Sequence, residues 1–141
     1  MTTRRAQAEW KGGLRDGAGE IALESGAFRG PYSFKSRFET GTGTNPEELI
    51  GAAHAGCFSM ALTAALQQAG HSPARIRTEA AVRLDKVGDG FSITRIDLKT
   101  EGQVPGIDSA TFQSFADKAK AVCPLSKALA GTEIHLESKL L

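Results

Sequence analysis

Sulfur and aromatic residues are scarce in this chain: two cysteines, two methionines, one tryptophan and one tyrosine among 141 residues. Two thiols are too few for a disulfide scaffold. In a reducing compartment such a pair is more often catalytic, metal-binding or merely buried. A dominant charge is missing too, since 17 Lys and Arg stand against 16 Asp and Glu, for a net +1 with both signs interspersed. No basic run is long enough to follow a phosphate backbone, which argues against a nucleic-acid partner. Residues 1–10 are polar where a secretory leader would be apolar, and no segment is expected to reach the roughly 18 apolar residues of a membrane span. The expectation is a cytoplasmic protein with no membrane partner. What is present, 40% hydrophobic and 23% charged residues, is the balance of a globular protein, and the length suits one domain over residues 1–141.

The apolar pattern divides the chain. Ala6, Ala8 and Trp10, then Ile21 and Leu23, then Tyr32, Phe34 and Phe38 alternate with polar residues, and glycine-rich breaks punctuate them, so three strands are expected. Asn45-Pro46-Glu47-Glu48 supplies a cap residue, a proline at the first helical position and acids where the helix dipole favours them. A helix should run from there to about Ala69, with Gly70 as its stop. It is expected to carry Leu49, Ala53, Cys57, Met60, Ala61 and Ala64 on one apolar face. Its small residues at Gly51, Ala52, Ala53, Ala55 and Gly56 would admit a close neighbour.

Ile76 to Leu84 alternates cleanly, Gly88-Asp89-Gly90 turns the chain, and a return strand opens at Phe91. Its apolar phase shifts at Ile96 and Leu98, which places a β-bulge near Thr94 or Arg95. Asp108 should cap a second helix bearing Phe112, Phe115, Ala116 and Ala119. Pro124 ends that helix and can open a short one closed by Gly131, before a last strand at Ile134 to Leu140. The fold class is α+β, with antiparallel sheets packed around two main helices and no βαβ alternation to suggest a parallel sheet.

A free thiol is only a few per cent thiolate at neutral pH, and apolar surroundings reduce that further. Cys57, about eleven residues into its helix, is too far from the positive helix end for the dipole to help, so reactivity would need a cation such as Arg. Unpaired cysteine is also one of the most commonly buried residues. Cys123, just before Pro124, could be a turn residue or could gain acidity from local N–H groups, and on these grounds it rivals Cys57 as the reactive thiol. His54, three residues before Cys57, has spacing compatible with shared metal ligation or a Cys/His pair, but a packed histidine is more often a satisfied core residue. Glu47 and Glu48 read as first-turn acids, and Arg37 as a solvent-facing strand residue.

The stretch GTNPEELIGAAHAGCFSMA over residues 43–61 resembles the signature of the osmotically inducible protein C family, relatives of the organic hydroperoxide resistance proteins. Pro31-Tyr32-Ser33-Phe34 with Arg37-Phe38, Leu84-Asp85-Lys86-Val87, Val104-Pro105-Gly106-Ile107-Asp108 and Ala119-Lys120-Ala121-Val122-Cys123-Pro124 extend the likeness over nearly the whole chain. The resemblance implies a single domain of that fold, forming an intertwined homodimer with its sites at the subunit interface. It implies a peroxidase for organic hydroperoxides, and less well for hydrogen peroxide, with Cys57 as the peroxidatic thiol, Cys123 as the resolving thiol, Arg37 activating the thiolate and Glu47 orienting Arg37. The reductant it implies is a dithiol or a lipoylated protein, with no metal and no cofactor. Glu47 and Cys57 lie about 15 Å apart along one straight helix, so an Arg37–Glu47 pair acting on Cys57 is hard to build from a single chain, and the hypothesis is that it reaches the Cys57 of the partner subunit; action within one chain stays open. A metal- or ligand-binding protein and a redox sensor are the rival readings of the same cysteines.

Overall fold

Alternating residues in the first third of the chain form three short strands, β1 (Ala6–Lys11), β2 (Ala18–Leu23) and β3 (Arg29–Tyr32). They pair in that order as an antiparallel sheet. The structure is a computed structural model that describes residues 1–141. Its contacts divide the chain into two units, Met1–Leu49 and Ile50–Leu141.

In the first unit, Trp10 and Tyr32 meet edge to face with centroids 5.4 Å apart. Gly19 lies beneath both rings, where a Cβ would strike them. The third expected strand stops at Tyr32, because Ser33 starts a short helix instead, α1 (Phe34–Phe38). Ser33 Oγ accepts the N–H of Ser36 at 3.1 Å, and Ser36 Oγ accepts the N–H of Ser33 at 2.8 Å. This reciprocal cap satisfies two amide donors, and it outweighs the alternation of Phe34 and Phe38 that suggested a strand. The Ser36 hydroxyl also donates to the Thr44 carbonyl at 2.7 Å, and Asn45 Nδ2 donates to the Ser36 carbonyl at 3.0 Å. The loop entering the next helix is thereby tied to α1.

That helix, α2 (Pro46–Gln68), begins where expected, with Asn45 Oδ1 accepting the Glu48 N–H at 2.7 Å. It ends before Gly70, which adopts the left-handed conformation at φ 88°. Two expectations about it are corrected. The inward seam runs through His54, Phe58, Leu62 and Leu66, all fully buried, with Cys57 and Ala61 at its margin. Ala53, Met60 and Ala64 face outward, Met60 being 77% exposed. A helix that is apolar or small-sided all round has no polar face to set its phase. For the same reason α2 is long and apolar enough, by length and composition, to cross a membrane, contrary to the expectation that no segment would be. Only 28% of the window meeting that test is buried within the chain.

The second unit adds β4 (Arg75–Val87), β5 (Gly90–Gln103), α3 (Ser109–Val122), α4 (Pro124–Ala128) and β6 (Glu133–Leu140), its sheet ordered β4-β5-β6. Pairing passes from Arg83↔Arg95 to Leu84↔Ile93, which leaves Thr94 unpaired as the bulge that the phase shift implied. Asp108 caps α3 by accepting the Thr111 N–H at 2.8 Å. The α+β class stands, but β6 lies parallel to β5, so the sheet is mixed and not wholly antiparallel. The segment β5–α3–α4–β6 is itself a strand, helical connection, strand unit, hidden in the sequence by the break at Pro124.

The second unit's core gathers Phe58, Leu62 and Leu66 of α2, Ile96 and Leu98 of β5, Val104, and Phe112, Ala116 and Ala119 of α3, together with Cys123. Phe112 is 1% exposed, and its ring occupies the space above Gly102, where an added Cβ would stand 2.5 Å from the ring. Gly102→Ala should therefore cost about 1–3 kcal/mol by overpacking, read as a lower urea midpoint at unchanged slope. An unshifted midpoint would show that the ring has room to move.

Candidate active site

Pro124 bars helical geometry at the residue before it, so Cys123 takes an extended ψ of 122° and stands at once as the C-cap of α3 and the N-cap of α4. This kink turns its side chain to the inward face of α2. Cys57, eleven residues into α2, meets it there, and the two sulfurs are 3.1 Å apart with both thiols free. A disulfide needs about 2.05 Å, so roughly 1 Å of movement separates the pair from a covalent bond. Cys123 is fully buried and Cys57 half-buried, both against apolar core side chains.

The surroundings act differently on the two thiols. Burial pushes the Cys57 thiol up, and the hydrogen bond and charge of Cys123 add to that against an opposing Leu125 N–H. No positive charge is among these influences. For Cys123, burial also works upward, but the hydrogen bond shared with Cys57, the N–H and hydroxyl of Ser126 and the N–H of Leu125 outweigh it, and its pKa is lowered. The Cys123 sulfur makes no capping hydrogen bond of full geometry; these donors polarise it from the first turn of α4. Among the causes that lower the Cys123 pKa, the hydrogen bond with Cys57 comes first and the local groups of Ser126 and Leu125 follow.

Arg37 and Glu47 are brought together in the first unit. Arg37 Nε and Nη2 donate to Glu47 Oε1 at 3.1 and 2.8 Å, a side-on pairing that does not engage the Nη1 edge. The Glu47 side chain is 9% exposed and that of Arg37 37%. Arg37 lies on α1 and not on a strand; it is exposed, as its solvent-facing reading expects, and it is ion-paired with Glu47. Glu48, the other first-turn acid, accepts the Thr44 hydroxyl at 2.8 Å.

His54 does not turn to Cys57. Its Nε2 lies 2.8 Å from Ser126 Oγ, its ring is fully buried, and its Nδ1 has no hydrogen-bond partner. Burial holds its pKa below the usual histidine range. No three His, Cys, Asp or Glu side chains converge as metal ligands. Ser126 was not anticipated. Its signal was the run Cys123-Pro124-Leu125-Ser126, in which a proline at the first helical position sets the third helical residue back beside the cap.

The family model described as OsmC-like protein matches residues 39–139. Peroxiredoxin OsmC of Escherichia coli is 53% identical over 138 residues, covering 97% of this chain and 96% of that protein. The organic hydroperoxide resistance protein of Xanthomonas axonopodis pv. citri is 39% identical over 92 residues, 64% of this chain and 63% of that one. Among solved structures, the organic hydroperoxide resistance protein OhrB of Bacillus subtilis superposes with a TM-score of 0.72 at 26% identity, covering 97% of this chain and 98% of that one. With the fold, the signature stretch and these relatives in agreement, the chain belongs to the OsmC-like protein family.

Proposed function

We propose that this protein is a thiol peroxidase that reduces organic hydroperoxides to alcohols, and hydrogen peroxide less well. The observation that carries this reading is the pair of thiols 3.1 Å apart, one half-buried and one fully buried, in an apolar setting. The relatives bearing the names peroxiredoxin and organic hydroperoxide resistance protein support it. The Cys57 thiolate attacks the distal peroxide oxygen, the O–O bond breaks, and the alkoxide leaves as an alcohol on taking up a proton. Cys57 becomes a sulfenic acid, Cys123 condenses with it to a disulfide with loss of water, and an external dithiol or lipoylated protein restores both thiols by exchange. The apolar lining favours substrates with an alkyl group to bury.

Cys57 needs a cation, and the groups of its own unit that act on it, Leu125 and Cys123, include none. In this reading Arg37, oriented by Glu47, supplies it from the partner subunit of a homodimer, and the outward face of α2 with Ala53, Gly56, Met60 and Ala64 is the surface available to that partner. The chain acts as one domain in the cytoplasm.

The test is turnover of cumene hydroperoxide by chelator-treated protein with dithiothreitol, followed by peptide mapping. The expected result is sustained consumption with a Cys57–Cys123 disulfide in protein quenched without reductant. Oxidation that stops after one equivalent would favour a redox sensor. Stoichiometric zinc in untreated protein, with no turnover, would favour a binding protein.

A further inference from the structure

His54 and Ser126 have no part in the chemistry above, yet their geometry singles them out. A fully buried imidazole with one nitrogen unpartnered carries a desolvation cost that an apolar residue of similar size would avoid. The tautomer of lower cost can be reasoned out. If Nδ1 held the proton, an N–H donor would be buried without an acceptor. If Nε2 holds it, Nδ1 is left as a bare acceptor, Nε2–H donates to Ser126 Oγ at 2.8 Å, and the serine hydroxyl hydrogen is free to point elsewhere. Ser126 is the third residue of α4, whose N-cap is Cys123, so that hydroxyl lies one turn from the sulfur, and it is among the groups that lower the Cys123 pKa. Two hydrogen bonds thus meet at the start of α4, His54 to Ser126 at 2.8 Å and Cys123 to Cys57 at 3.1 Å.

We propose that His54 and Ser126 are positioning residues for the second step of the reaction, a buried donor relay that readies the Cys123 sulfur for attack on oxidised Cys57. This rests on the assignment of Cys57 as peroxidatic and Cys123 as resolving. In that step the Cys123 sulfur forms a bond to the Cys57 sulfur and the Cys57 S–O bond breaks. The Cys57 sulfur is reduced as the Cys123 sulfur is oxidised, and the departing hydroxide leaves as water with the Cys123 thiol proton. The relay stabilises the negative charge that builds on the Cys123 sulfur as its proton passes to the leaving oxygen, and it holds the sulfur toward Cys57. His54 stays neutral throughout, donating through Nε2 and taking no net proton.

A faster second step matters because a sulfenic acid that waits is open to further oxidation. Removing the relay should raise the yield of Cys57 sulfinic acid under excess hydroperoxide.

The test separates the relay from the peroxidase reading. In a Cys57→Ser background, where no turnover occurs, the thiol titration of Cys123 reports the relay alone. Adding Ser126→Ala or His54→Leu should move that titration upward by about one unit. His54→Gln, which can keep a donor near Nε2, should restore most of the shift, and a merely structural role would give no such rescue. In the chain with both cysteines, Ser126→Ala should raise several-fold the fraction of Cys57 found as sulfinic acid per hydroperoxide consumed. Ser126→Ala removes one oxygen atom, so it keeps the test open even if His54→Leu fails to fold. An unmoved Cys123 titration in Cys57→Ser/Ser126→Ala overturns the relay. A wild-type protein that consumes no hydroperoxide overturns the peroxidase reading, whatever the titration shows.

Discussion

Cys57→Ser will leave hydroperoxide consumption at least about a thousandfold below wild type, while Cys123→Ser will consume one equivalent quickly and then depend on direct rescue by the added thiol. The asymmetry needs argument, because the acidities within the unit run the other way: the Cys123 pKa is lowered and the Cys57 pKa raised. Acidity sets how much thiolate exists, but a peroxide must also reach it. Cys123 has no exposed surface, and the Cys57 sulfur stands in front of it at 3.1 Å. A hydroperoxide approaching the half-buried Cys57 meets that sulfur first. Cys123 is better placed to hand negative charge to its neighbour across the shared hydrogen bond, and later to attack it. Trapping with dimedone after a single equivalent of cumene hydroperoxide checks the order. The adduct should form on Cys57 in the Cys123→Ser protein, and none should form on Cys123 in the Cys57→Ser protein. An adduct on Cys123 in the latter would exchange the two roles.

How much of this could be read from the residues differs from place to place, for physical reasons. The start and end of α2 were legible because Asn45, Pro46 and Gly70 act locally, through a cap, a fixed φ and a left-handed turn. The bulge at Thr94 was legible because one extra residue inverts the apolar phase of everything beyond it. The inward face of α2 was not, since Ala, Gly, Met and Leu on every side leave burial to be decided by what packs there. The strand expected through Phe34 and Phe38 was lost to a two-serine capping box whose strength lies in hydrogen bonds, not in hydropathy. At the site, the meeting of Cys57 with Cys123 across 66 positions came from the family resemblance, not from any local pattern. The pairing of His54 with Ser126 spans 72 positions and left no trace that spacing could detect.

Arg37→Ala is expected to lower kcat/KM by about a hundredfold to a thousandfold, the range for losing one charge-stabilising donor at a reacting centre. In the proposed dimer it should also raise the Cys57 pKa, by removing the cation that the proposal sets against that sulfur. The loss has two components that must be kept apart, because Glu47, with its side chain 9% exposed, would be left as a buried carboxylate without its partner. Arg37→Ala/Glu47→Gln removes that penalty, so stability should recover while activity does not. The decisive measurement mixes Arg37→Ala chains with Cys57→Ser chains under conditions that allow exchange. In a two-fold dimer with random pairing, half the dimers are mixed. If Arg37 serves the partner's Cys57, each mixed dimer holds one intact site of its two, and the mixture recovers about one quarter of wild-type activity. If Arg37 serves the Cys57 of its own chain, every site in a mixed dimer lacks one or the other, and activity stays at the level of the separate variants. Recovery near one quarter requires the guanidinium to cross the interface. No recovery, with exchange verified by mass, would place the activating charge within a single chain.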